Sequence, residues 1–166
     1  MRSMFEGATS FSQDIGNWNM AAVKSMQSMF LGATSFNQNI GNWNMAAVTS
    51  TSFMFKDATS FNQPIGNWNM AAVTDMSFMF SGATSFNQPI GNWNTAKVGS
   101  MNSMFRGAKD FSQNISSWNV RYLDSGYRFC LDFCLGAGEI TPPEFEKSPS
   151  TKKPLCGDPQ CPEKKA

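Results

Sequence analysis

Apolar residues recur along this chain at a fixed interval of 25. One Phe series is Phe5, Phe30, Phe55, Phe80, Phe105 and a second is Phe11, Phe36, Phe61, Phe86, Phe111. Ile15, Ile40, Ile65, Ile90 and Ile115 follow, then Trp18, Trp43, Trp68, Trp93 and Trp118. The interval never slips, so the chain is a repeat array. A 25-residue unit is too small to enclose its own apolar face, and stacked units share one core. Within a unit, Val73, Met76, Met79 and Phe80 lie at offsets 0, 3, 6 and 7. That spacing predicts one face of a short helix. Asn69 or Thr74 would cap its start and Gly82 would sit at its exit. The stretch "SFNQPIGNW" has apolar residues 4 and 3 apart with Pro and Gly between. It predicts only a very short extended segment, about Ile65 to Trp68, because Pro64 and Pro89 cannot donate to a central ladder. The expected fold class is an α/β repeat solenoid with one short strand and one short helix per 25-residue turn.

Composition sharpens this picture. The 166 residues are enough for one domain. They include 15 Phe, 12 Met and 5 Trp, so the core is flat aromatic rings with Met filling the gaps between them. The expected division is a solenoid of about five repeats over 1–135, ending in a capping turn, and a tail over 136–166. The repeat fades after Trp118, where Leu123 takes the Val slot and Gly126 a Met slot. The tail holds six of the eight Pro and reads as linker or disordered sequence.

The four Cys, at 130, 134, 156 and 161, all fall in the C-terminal part. Their spacings, with no His anywhere, suit a zinc finger poorly. Disulfides fit an exported chain better. Cys156 and Cys161 flank "GDPQ", a turn sequence, and form the first candidate pair, although four Cys allow three connectivities. Residues 1–5, "MRSMF", match "MQSMF" at Met26 and "MNSMF" at Met101, so Met1 falls inside a repeat. The expectation is a fragment whose preceding sequence, with any export signal, is absent here.

The string "MF.GATSFNQ.IGNWN...V..M..MF" resembles the BspA-like leucine-rich-repeat surface proteins. The likeness is to the subtype with a mycoplasma-lipoprotein repeat of unknown function, and it covers about residues 1–130. The resemblance implies a leucine-rich-repeat-like right-handed coil, with short parallel strands inside and helical segments outside. It also implies secreted or cell-surface proteins that bind other proteins or have no known role. Two departures stand out: "MAAV" where members often carry Ser or Asn before the Val, and the missing export signal.

Chemistry narrows the function further. Without His, the commonest general base and the Ser-His and Cys-His pairs are excluded. The carboxylates are scattered, and Gly recurs only as repeat punctuation. An enzyme is therefore not expected, nor a cofactor or metal. Net charge is +1 with no basic stripe, so nucleic acid is not an expected partner. No apolar run approaches the ~20 residues of a membrane span.

The recurring Gln and Asn, among them Gln13, Gln38, Gln63, Gln88 and Gln113, are expected to bond up and down the stack as amide ladders. Binding falls to slots that vary between units. Asp14, Asn39, Pro64, Pro89 and Asn114 form the leading slot. Glu6, Leu31, Lys56, Ser81 and Arg106 form another, as do Lys24, Thr49, Thr74 and Gly99.

The resulting expectation is a non-catalytic adhesion or protein-interaction module at a cell surface. Its partner would be a protein or surface glycan, and end-to-end self-association is open to it. The alternatives are a passive surface or wall spacer, and an ice- or glycan-binding face built on Thr9-Ser10 and its copies at 34, 59 and 84.

Overall fold

The computed structural model describes residues 1–119. Consecutive 25-residue turns lie one on another. The first is 1–25, the second 26–50, the third 51–75 and the fourth 76–100, with the fifth described to 119. Parallel bridges join Ser25 to Ser50, Ser50 to Asp75 and Asp75 to Ser100. The division at 135 and all four Cys, including the Cys156–Cys161 pair, lie outside the described residues.

The expected α/β architecture is not formed. Among the described residues there is no helix, and no strand longer than an isolated bridge. Each turn is instead a succession of four-residue β-turns. In the second turn Met29 N–H donates to Met26 O, Leu31 to Ser28, Ala33 to Phe30 and Phe36 to Ala33, at 3.0–3.2 Å. The third residue of every turn has positive φ: Ser3, Ser28, Phe53, Phe78 and Ser103 at 52–58°. So does the seventh, where Gly7, Gly32, Gly82 and Gly107 stand beside Asp57. A positive φ at the third position of a β-turn is the type II signature, and no α-helix contains such a residue. That is why Val73, Met76, Met79 and Phe80 do not form a helix, although all four are buried. The segment Ile65 to Trp68 is likewise a β-turn, closed by Trp68 N–H on Ile65 O at 3.1 Å.

This backbone sends its N–H groups along the stack. Met26 donates to Ser50, at the end of its own turn, and Ser28, Phe30 and Gly32 donate to Ser52, Met54 and Lys56 of the next, at 2.8–3.0 Å. The same four bonds recur from the third turn to the fourth and from the fourth to the fifth. Donors elsewhere point back, as Thr49 N–H does to Lys24 O at 2.9 Å. Successive turns are thus tied together by backbone bonds, which is how the described residues, without helix or strand, satisfy their buried amides.

The core consists of aromatic columns. Phe30 and Phe36 stack within a turn at 3.9 Å and 10°. Phe30 stacks on Phe55 of the next turn at 5.6 Å and 4°, and Trp43 on Trp68 at 6.4 Å and 3°. Offset parallel rings at these separations are favourable beyond the area they bury. Each indole from the second turn on also donates to the turn before, Trp43 Nε1 to Ile15 O, Trp68 to Ile40 O, Trp93 to Ile65 O and Trp118 to Ile90 O, all at 3.1 Å. Met29, Met54, Met79 and Met104 pack among the rings, fully buried.

Candidate functional site

The polar columns divide by what their side chains do. Gln38, Gln63, Gln88 and Gln113 reach back one turn. Gln38 Nε2 donates to Ser12 O at 2.8 Å, and the other three donate to Oδ1 of Asn37, Asn62 and Asn87 at 2.8–2.9 Å. The same Asn oxygens accept the backbone N–H of Asn62, Asn87 and Ser112. The expected amide ladder therefore exists, but it is a mixed one of Gln onto Asn. Asn37, Asn62 and Asn87 were missed as its acceptors, although the repeated "FNQ" carries the signal. The Asn44, Asn69 and Asn94 column does not run along the stack. Each Oδ1 accepts the N–H two residues on, at 3.1 Å, and fixes a local turn.

The Thr column is also spent on structure. Thr34, Thr59 and Thr84 hydroxyls donate to the backbone oxygens of Thr9, Thr34 and Thr59 at 3.3–3.4 Å. Their protons run along the stack and not into solvent. The neighbouring Ser10, Ser35 and Ser60 are exposed.

Asp14, Asn39, Pro64, Pro89 and Asn114 are all exposed, one to a turn. The structure brings them into one column and explains which residue types the slot accepts. Asp14, Asn39 and Asn114 Oδ1 accept the N–H of Gly16, Gly41 and Ser116 at 2.9–3.0 Å. Pro sets the same bend through its fixed φ. Backbone packing is tight here. A Cβ on Gly16 would lie 2.6 Å from Asn39 O, and one on Gly91 2.5 Å from Asn114 O.

A second variable face lies at the third and sixth residues of the turns. Phe53 and Phe78 stand where the other turns have Ser, half-buried, and their rings stack at 4.8 Å and 8°. Both have positive φ, 58° and 57°, which bulky residues rarely adopt. Lys56 Nζ pairs with Asp57 alongside at 2.5 Å, a half-exposed pair of little energetic weight. Sequence reasoning placed no weight on Phe53 and Phe78, and their departure from Ser3, Ser28 and Ser103 was the available signal.

Among the described residues no group of three or more His, Cys, Asp or Glu could hold a metal ion, and no helix is long and apolar enough to cross a membrane.

One protein family, described as Mycoplasma protein of unknown function, DUF285, matches twice in tandem, over residues 1–77 and 62–129. The chain belongs to this family. No curated protein and no solved structure matches it. For this DUF285 chain, the tandem match agrees with the repeat array read from the Phe, Ile and Trp columns.

Proposed function

We propose that this DUF285 chain is a non-catalytic interaction module at a cell surface, presenting variable side chains on a uniform stack. A protein or surface glycan would be its partner. The BspA-like surface role implied by the repeat string belongs to the same reading. One observation carries it. Phe53 and Phe78 keep two aromatic rings outside the core, in a backbone conformation that costs of order 1 kcal/mol or more per residue. Neither ring contributes to the buried columns. A stacked aromatic pair left half-buried outside the core has the composition of a binding hot spot. The exposed column of Asp14, Asn39, Pro64, Pro89 and Asn114 supplies a second set of contacts.

Fluorescently labelled chain on intact cells tests the reading. Phe53→Ser with Phe78→Ser restores the residue found in the other turns, so the fold is kept. Attachment should fall at least tenfold, the scale of a lost hot spot, about 2 kcal/mol. Asp14, Asn39 and Asn114 changed together to Ala form the second arm. If both variants attach as the parent does, the passive spacer is the better account. If Thr34, Thr59 and Thr84 changed to Val abolish ice or glycan binding while the Phe pair does not matter, the hydroxyl face is.

A further inference from the structure

The fifth turn departs from the other four at one chemically distinctive place. Where they read Asp14-Ile-Gly, Asn39-Ile-Gly, Pro64-Ile-Gly and Pro89-Ile-Gly, it reads Asn114-Ile115-Ser116. No other Asn in the sequence has Ser or Thr two residues on. Asn, any residue but Pro, then Ser or Thr is the acceptor sequence for an N-linked oligosaccharide, and it marks a surface loop in exported proteins. Stacking explains its absence from the first four turns. A Cβ on Gly16, Gly41, Gly66 or Gly91 would lie 2.4–2.6 Å from a backbone oxygen of the following turn. Asn39 thus has the slot and the bend of Asn114, but Pro64 O blocks a hydroxyl-bearing residue at 41. Position 116 carries Ser, and Ser116 is exposed.

The side chains of this triplet are disposed for modification. Asn114 is exposed, and its Oδ1 accepts the Ser116 N–H at 2.9 Å. That bond fixes the carboxamide and leaves Nδ2 on its opposite side, with no hydrogen-bond partner among the described residues. Ser116 Oγ has none either, whereas the next hydroxyl, Ser117 Oγ, is taken up by Gly91 O at 2.6 Å. Between the two exposed positions Ile115 is buried, and its backbone oxygen accepts the Trp118 N–H at 3.1 Å. The middle residue therefore anchors the triplet to the stack while the amide and the hydroxyl stay in solvent.

We propose that Asn114 carries an N-linked oligosaccharide. The proposal rests on the cell-surface reading, because the sugar donor is met during export. In the transfer, Asn114 Nδ2 attacks C1 of a sugar held on a polyprenyl pyrophosphate. The N–C1 bond forms and the C1–O bond to the pyrophosphate breaks. The lipid pyrophosphate leaves with the bonding electrons, and Nδ2 gives up one proton to a basic group of the transferring enzyme. The bond from Ser116 N–H to Asn114 Oδ1 spans only two residues, so the acceptor turn can form before the stack assembles. In the finished stack the sugar stands in the exposed column of Asp14, Asn39, Pro64 and Pro89, and it withdraws position 114 from direct contact with a partner.

The full chain recovered from its own cells tests this by treatment with peptide N-glycosidase, which removes the sugar and converts its Asn to Asp. A gain in electrophoretic mobility is expected, together with a peptide whose mass shows Asp in place of Asn114. The same chain sent through a eukaryotic secretory pathway behind an export signal should carry the same single modification. Asn114→Gln and Ser116→Ala should each abolish the shift, the second with the acceptor amide intact, and Ser116→Thr should keep it. Asn39, in the same slot and bend, should stay bare. An unmodified Asn114 in the native chain overturns the proposal, as does a shift that survives Ser116→Ala. Labelling intact cells with a membrane-impermeant amine reagent tests the surface reading separately. A labelled chain with bare Asn114 overturns the sugar alone, and an unlabelled chain with bare Asn114 overturns both.

Discussion

Gly91→Ala and Gly99→Ala should move stability in opposite directions, although both replace a hydrogen by a methyl group in the fourth turn. At Gly91 the new Cβ would lie 2.5 Å from Asn114 O, which is 0.9 Å inside the 3.4 Å where ordinary contact begins. The obstacle is backbone of the next turn, so no side chain can swing away. Relief requires the fourth and fifth turns to separate locally. Trp118 Nε1 bonds Ile90 O, next to the substituted residue, at 3.1 Å. A separation approaching the shortfall would break that bond and leave a buried donor and acceptor unpaired. Overpacking costs ~1–3 kcal/mol and the unpaired group about as much again, so the loss should be roughly 2–6 kcal/mol. At Gly99 the nearest atom to an added Cβ is Thr74 O at 3.8 Å, an ordinary contact, and φ lies outside the left-handed range. There the methyl mainly restricts the unfolded chain, a gain of about 0.4–1 kcal/mol.

Urea titration followed by indole fluorescence is the assay, since Trp93 and Trp118 stack across this junction at 6.0 Å. With a slope of ~1–3 kcal/mol per molar, Gly91→Ala should lower the midpoint by about 1 M or more. Gly99→Ala should raise it by a few tenths. Equal shifts for the two variants would refute the claim that close approach of stacked backbones, and not the general freedom of glycine, dictates the residue at 16, 41, 66 and 91.

Two further substitutions test the core. Trp68→Ala removes a ring sandwiched between Trp43 and Trp93, together with its bond to Ile40 O. It should cost ~3–5 kcal/mol in the same titration, and more than Trp18→Ala, whose ring is partly in solvent. Thr51 takes a Met slot, and its buried hydroxyl has no hydrogen-bond partner. Thr51→Val keeps the shape and removes the unpaired group, so the melting temperature should rise by the equivalent of ~1–2 kcal/mol. A fall would mean the hydroxyl is satisfied in solution.

The core was legible in the sequence because a stack obliges like to sit on like. Two Phe columns, an Ile column and a Trp column at an unbroken interval of 25 could bury themselves only by superposition, and each is buried from the second turn on. The path of the chain between those columns was not legible. Offsets of 0, 3, 6 and 7 describe one face of a helix, but overlapping β-turns also bring every third or fourth residue to the same side. Val73, Met76, Met79 and Phe80 satisfy both descriptions. Gly82 was equally ambiguous, since a left-handed residue ends a helix and also completes a type II turn. What decides between them is a second positive φ four residues earlier, at Phe78. Neither Phe there nor Ser in the equivalent slots announces it.

The candidate site shows the same division between what repetition reveals and what local geometry hides. Variation at Asp14, Asn39, Pro64, Pro89 and Asn114 marked an exposed slot, and exposed it is. Sequence could not show that the variation has a structural boundary. Asp and Asn hold the bend by accepting the N–H two residues on, and Pro holds it through its ring. The alternation of Asx with Pro is therefore one turn solved in two ways, and the slot is open to partners only within that restriction. Phe53 and Phe78 have no such account. Ser fills the slot in the turns on either side, with the same positive φ and less bulk in a conformation that penalises bulk. The backbone thus gives no reason for Phe. The rings stack on each other and stay outside the core columns, so packing gives only a partial one. The stack leaves the chemistry of this pair unexplained, and the proposed partner contact rests on it.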